Sequence, residues 1–145
     1  MADLIFNIEA RWTGTGKEGE GDISAGGHVI HYSAPAAMGG RGVGTSPEEL
    51  LLSAVTACYS GTLFQVLQKK KLPVRILNLQ TTGMVEQYPH SAKFSRITVS
   101  PTIVGGDAAL EDEYRTAAGE ARDQCFIGRT VRDYLDYAVG TVTVH

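Results

Sequence analysis

Two cysteines, Cys58 and Cys125, are the residues of this chain best suited to redox or nucleophilic chemistry. A thiol attacks as its thiolate, and an oxidised thiol with a second cysteine in reach is recovered as a disulfide. Taken alone, Cys58 reads better as a small core residue, because free cysteines are usually buried and inert. Cys125 adds the second reading: an attacking and a resolving thiol in a chain whose core needs no disulfide staple. For attack on a peroxide, the first thiol also needs a cation to hold its charge and the breaking O–O bond. The candidates are Arg41, Lys17 and Arg11, all in the N-terminal half. Arg41 lies in a glycine-flanked loop ahead of the Cys58 segment, where a solvated loop arginine is the plainer alternative.

Cys58 falls near the middle of a helix expected from Pro47 to about Lys70. Ser46 can cap it, Pro47 suits its first position, and Glu49 completes a Ser-x-x-Glu box. Leu50, Leu51, Leu52, Val55, Leu63, Phe64, Val66 and Leu67, with Ala54 and Ala57, wrap almost its full circumference. Such a helix is expected to be central, since a surface helix shows a one-sided stripe. Leu51, Ala54, Val55, Cys58, Gly61 and Thr62 are expected to share a face, with small residues leaving room beside the sulfur. Lys69, Lys70 and Lys71 favour the carbonyl end of the dipole, and Pro73 marks the stop. Glu48 and Glu49 suit the first turn for the same electrostatic reason. Ten residues of helix rise about 15 Å, so Glu48 can serve Cys58 only from a partner chain or through a break in the helix.

The other elements follow from alternation and turn residues. Residues 4–13, 23–24 and 28–33 read as strands, with a loop over 34–45. Longer strands are expected at 74–87 and 92–104, then helices at 107–124 and 126–132, and a closing strand over 134–144. Strands, helix, strands, helices, strand is an α+β order, expected as a single domain over 1–145. At 43% apolar, 20% charged and a net charge of −3, the composition is that of a soluble globular protein and gives no basic patch for nucleic acid or an anionic membrane. Leu50 to Gln68 has no charge over a bilayer-spanning length, but Ser53, Thr56, Ser60, Thr62, Gln65 and Gln68 favour a buried helix. The Met1-Ala2-Asp3 start lacks the basic region of a signal peptide, so a cytoplasmic protein with reduced thiols is expected. His28, His31, His90 and His145 lack metal-ligand spacing, and Gly39 to Gly44 lacks the Gly-Lys-Ser/Thr of a phosphate loop, so neither metal nor cofactor is expected. One sheet cannot cover a helix apolar on nearly all sides, which points to a homodimer.

Residues 44–63, GTSPEELLLSAVTACYSGTL, resemble the signature of the OsmC/Ohr family (osmotically inducible protein C and organic hydroperoxide resistance protein). That signature is Gly-Thr-Asn-Pro-Glu-x-Leu, then small residues, then Ala-Cys; Ser46 stands for Asn and keeps the capping role. Cys125-Phe126-Ile127-Gly128-Arg129 takes the place of the family's second cysteine and the helix after it. The resemblance covers the whole chain and implies an OsmC-like α+β fold, with antiparallel sheets around a long central helix. It further implies an intertwined homodimer with sites at its interface. By the same resemblance Cys58 is oxidised by an organic hydroperoxide to a sulfenic acid, Cys125 resolves it as a disulfide, and Glu48 matches the family's glutamate. An external thiol system, lipoylated proteins in the Ohr branch, would reopen the disulfide. The Ohr arginine occupies a Gly-Gly-Arg-x-Gly turn, where this chain has Gly14-Thr15-Gly16-Lys17. Arg41 lies in the loop from which OsmC-like members supply a cation, so the role is assigned to Arg41 and the chain looks nearer the OsmC-like branch. The alternative is a non-enzymatic dimeric stress or binding protein with a ligand pocket near Leu51, Val55 and Phe64. A general thiol–disulfide oxidoreductase fits less well, for want of a Cys-x-x-Cys motif.

Overall fold

Glycine-punctuated alternation in the first third of the chain folds as a meander. A computed structural model describes residues 1–145, of which 1–51 form one compact unit and 52–145 another. In the first unit β1 (Glu9–Thr13), β2 (Glu20–Ala25) and β3 (His28–Tyr32) pair antiparallel in that order. The strand expected over 4–13 begins only at Glu9. The physical reason is pairing: β2 ends at Ala25, the register closes at Glu9↔Ser24, and no chain lies opposite residues 4–8. Leu4, Ile5, Phe6 and Ile8 are left exposed. The loop after β3 returns alongside it. Ser33 Oγ donates to the Val43 carbonyl and accepts from the Val43 amide, both at 2.9 Å. Gly44 is obligatory there: its φ is +68°, and a Cβ would fall 2.1 Å from the His31 carbonyl oxygen.

Helix α1 (Pro47–Lys69) starts as its sequence predicts. The Glu49 amide donates to Ser46 Oγ at 3.2 Å, and the Ser46 hydroxyl donates to Glu49 Oε1 at 2.8 Å. The helix runs unbroken to Lys69, and Lys71 at φ 58° ends it in the left-handed region with the Leu72 amide on the Leu67 carbonyl.

In the second unit β4 (Ile76–Glu86) and β5 (Lys93–Val104) make an antiparallel hairpin. The expectation of antiparallel sheets fails for the strands that follow. Both β6 (Asp136–Val139) and β7 (Thr143–Val144) run parallel to β5. The chain crosses back after β5 through α2 (Glu111–Gln124) and α3 (Phe126–Val131), and a crossover of that kind delivers a parallel strand. The expected closing strand over 134–144 is split at Gly140, whose amide donates to the Val99 carbonyl at 2.7 Å.

One side of α1 enters the core of this unit through Val55, Tyr59, Leu63, Val66 and Leu67. Thr56 Oγ1 lies 2.6 Å from Thr81 Oγ1 on β4, and the Tyr59 hydroxyl donates to the Ala118 carbonyl of α2 at 3.0 Å. By length and composition α1 could also cross a membrane; here its buried side is packed between sheet and helix. The opposite side, with Ala54, Ala57, Gly61 and Gln65, is exposed. The face expected to unite Leu51, Ala54, Val55, Cys58, Gly61 and Thr62 is therefore divided: Val55 is buried, Ala54 and Gly61 are exposed, and half-buried Cys58 sits at the seam.

Candidate active site

Cys125 stands where α2 ends and α3 begins. Its amide donates to the Ala121 carbonyl at 3.0 Å, closing α2. Its Sγ, at the N-cap of α3, accepts the Gly128 amide at 3.4 Å. The residue is fully buried. Cys58, one helix away on α1, is half-buried and likewise a free thiol. The structure brings these two side chains into the same cluster, close enough for Cys58 to act on the Cys125 thiol. Burial, and next Cys58, push the Cys125 thiol up; the Gly128 amide and Tyr137 pull it down. The outcome is upward, which favours the protonated Cys125 thiol.

Two tyrosines complete this buried cluster, and neither is marked as functional by the sequence. Tyr59 is pushed above the ordinary phenol range by burial and by the charge of Cys125, while Arg122 acts in the opposite sense. Burial, then Cys125, push Tyr137 still further the same way. Gly128 allows its approach, since a Cβ at 128 would fall 2.1 Å from Tyr137 Cε2. The one sequence signal was the glycine in Cys-Phe-Ile-Gly-Arg, read only as part of a motif. Arg122 is the cation whose field reaches this cluster, and its guanidinium is engaged with Asp123 at 2.7 Å.

The upward shifts carry a sign for stability. Above the ordinary thiol value of 9.0 the unfolded chain releases the Cys125 proton while the folded chain retains it, so unfolding is favoured as pH rises. The two phenols add the same effect above 10.0. Stability is thus expected to be intact below about pH 9 and to fall steadily beyond it. Thermal melts of the reduced protein between pH 7.5 and 10.5 measure this. Cys125→Ala should remove the part that begins near pH 9 and leave the share of the tyrosine part that burial alone supplies.

The other expected site residues lie in the first unit or at the helix start. Arg41 Nε is 3.5 Å from Glu20 Oε2, and its side chain is 51% exposed. His31 joins the same carboxylates, with Nδ1 2.7 Å from Asp22 Oδ1 and Nε2 3.8 Å from Glu20 Oε2. Lys17 Nζ lies against Gly39, and Arg11 is exposed on β1. Glu48 occupies the first turn of α1, and its Oε2 is buried with no hydrogen-bond partner. The ligand pocket expected around Leu51, Val55 and Phe64 is not built from one face of α1. Val55 is fully buried, and Phe64, nine residues on, projects from the opposite side.

A long helix carries a half-buried thiol near a buried one, which makes the pair a candidate dithiol site. Comparison with known proteins gives the family: residues 39–137 match the family model described as OsmC-like protein, and the chain belongs to that family. The Bacillus subtilis (strain 168) protein YmaD is 30% identical over 139 residues, spanning 94% of this chain and 92% of YmaD. Among solved structures, an OsmC-like protein from Mycoplasma pneumoniae superposes with a TM-score of 0.79 at 19% identity, covering 99% of each chain. An organic hydroperoxide resistance protein from Elizabethkingia anophelis gives a TM-score of 0.76 at 18% identity, covering 99% of this chain and all of that one. These structures share the fold, an α+β arrangement of two sheets and helices.

Proposed function

We propose that this protein is a thiol-dependent peroxidase that reduces organic hydroperoxides, and hydrogen peroxide as a further substrate, in the cytoplasm. Cys58 attacks the peroxide and becomes a sulfenic acid; Cys125 attacks that sulfur and closes a disulfide, releasing water. The observation that carries this reading is the two free thiols in one cluster, one half-buried and able to meet substrate, the other buried and close enough to the first for each to feel the other. The name organic hydroperoxide resistance protein, borne by a structural neighbour, supports the same substrate class.

In this reading Arg41 is the cation and Glu48 the acid of the site. The helix is unbroken between Glu48 and Cys58, which favours supply of Glu48 by the partner chain of a homodimer. The buried, unpaired Glu48 Oε2 is an acceptor awaiting a donor, and an arginine is a suitable one. A small external dithiol or a lipoylated protein then reopens the disulfide by thiol exchange.

Intact mass after one equivalent of cumene hydroperoxide tests the reading. The reduced wild type should lose about 2 mass units on forming the disulfide, and Cys125→Ser should gain about 16 or more as its sulfenic acid persists and overoxidises. An unchanged wild-type mass would sink the proposal.

A further inference from the structure

Tyr137 is 5% exposed, and its hydroxyl is buried without a partner that meets hydrogen-bond geometry. An unpaired buried hydroxyl is a standing cost that calls for an explanation. Its position is fixed from two sides. On β6 the residue is in parallel register with Ile97, and its ring lies so close over Gly128 that no side chain fits there. The same Gly128 donates its amide to Cys125 Sγ. The turn that seats the ring thus also seats the sulfur, and from there Tyr137 acts to pull the Cys125 thiol down.

We propose that Tyr137 is the hydrogen-bond donor to the resolving sulfur: its hydroxyl bonds Cys125 Sγ when that sulfur ionises to attack Cys58. This rests on the dithiol reading above. In the first step the alkyl hydroperoxide gives its distal oxygen to Cys58 and leaves as the alcohol. In the second, the Cys125 thiolate attacks Cys58 Sγ, so that the S–S bond forms and the S–O bond breaks. The hydroxide that departs takes up the proton Cys125 released, giving water. The difficulty lies in making a thiolate at a buried sulfur, where burial and Cys58 both oppose the charge. Gly128 supplies one donor and Tyr137 the second. A neutral thiol is a weak acceptor, and the tyrosine hydroxyl is unpaired beside it; ionisation turns the sulfur into a strong one. Burial keeps the Tyr137 phenol protonated, so it remains a donor throughout the working pH range.

The test is Tyr137→Phe, which removes one oxygen that the reduced fold does not use, so the variant should melt no lower than the wild type. Single turnovers with cumene hydroperoxide are quenched over time and read by intact mass. The sulfenic acid should form at the wild-type rate. Its conversion to disulfide should slow by about 10- to 100-fold near neutral pH and recover toward the wild-type rate as pH rises. Conversion at the wild-type rate, or a uniform slowing with an unchanged pH profile, overturns the proposal. If the wild type itself gives neither sulfenic acid nor disulfide, the dithiol reading fails and this inference with it, an outcome distinguishable from either of those.

Discussion

Cys58→Ser is expected to lower hydroperoxide consumption by on the order of 10³-fold or more. A serine hydroxyl is a far weaker nucleophile than a thiolate near neutral pH, and no second thiol can take its place. Cys125 is the remaining sulfur, and it is fully buried and held protonated by burial and by its contact with Cys58. Cys125→Ser, by contrast, should retain the first step and fail at recovery, so its activity should decay within a few turnovers. The two variants therefore separate attack from resolution by residue. Structural damage is a poor explanation for either loss, since each exchanges sulfur for oxygen at nearly constant shape, and circular dichroism and melting should change little. The measurement is steady-state consumption of cumene hydroperoxide with a small dithiol as reductant. Retention by Cys58→Ser of a tenth or more of the wild-type rate would place the chemistry elsewhere.

The features legible in the sequence are those set by local chemistry. Ser46, Pro47 and Glu49 fix the start of α1 because capping acts over three residues. The alternation of β4 and β5 marks their hairpin, because period two is a property of the strand itself. Both cysteines stand out by type. What stayed hidden depends on contacts made across the fold. Tyr137 meets Gly128 and Cys125 only because β6 is laid parallel to β5 by the α2–α3 crossover, and no spacing between those residues announces it. Arg41 was legible as a mobile cation, whereas its ion pair with Glu20 depends on how the loop after β3 returns toward β2. Residues 4–8 fall between these cases. They are apolar enough to be expected as strand, yet β1 starts only at Glu9, because pairing and not composition decides where a strand begins.

The same gap appears on α1 and leads to the second large effect. Gly61 lies in mid-helix, where glycine costs about 1 kcal/mol relative to alanine, and a Cβ there would meet nothing within 4 Å in this chain. If the protein worked as a monomer, Gly61→Ala should therefore stabilise it by about 1 kcal/mol. In the proposed homodimer, a second α1 packs on the exposed side bearing Ala54, Ala57 and Gly61. Small residues then permit close approach of the two helices, and the added methyl should instead destabilise by about 1–3 kcal/mol through overpacking. Gly61→Arg sharpens the contrast: a long cation at this seam should split the proposed dimer and, if Glu48 is supplied from the partner as proposed, abolish activity as well. Sedimentation at micromolar concentration should give twice the chain mass for the wild type and a single chain mass for Gly61→Arg, with peroxide consumption lost in parallel. A wild type that sediments as one chain, and whose Gly61→Ala variant melts higher, would leave Cys58 and Glu48 too far apart along one helix to share a site.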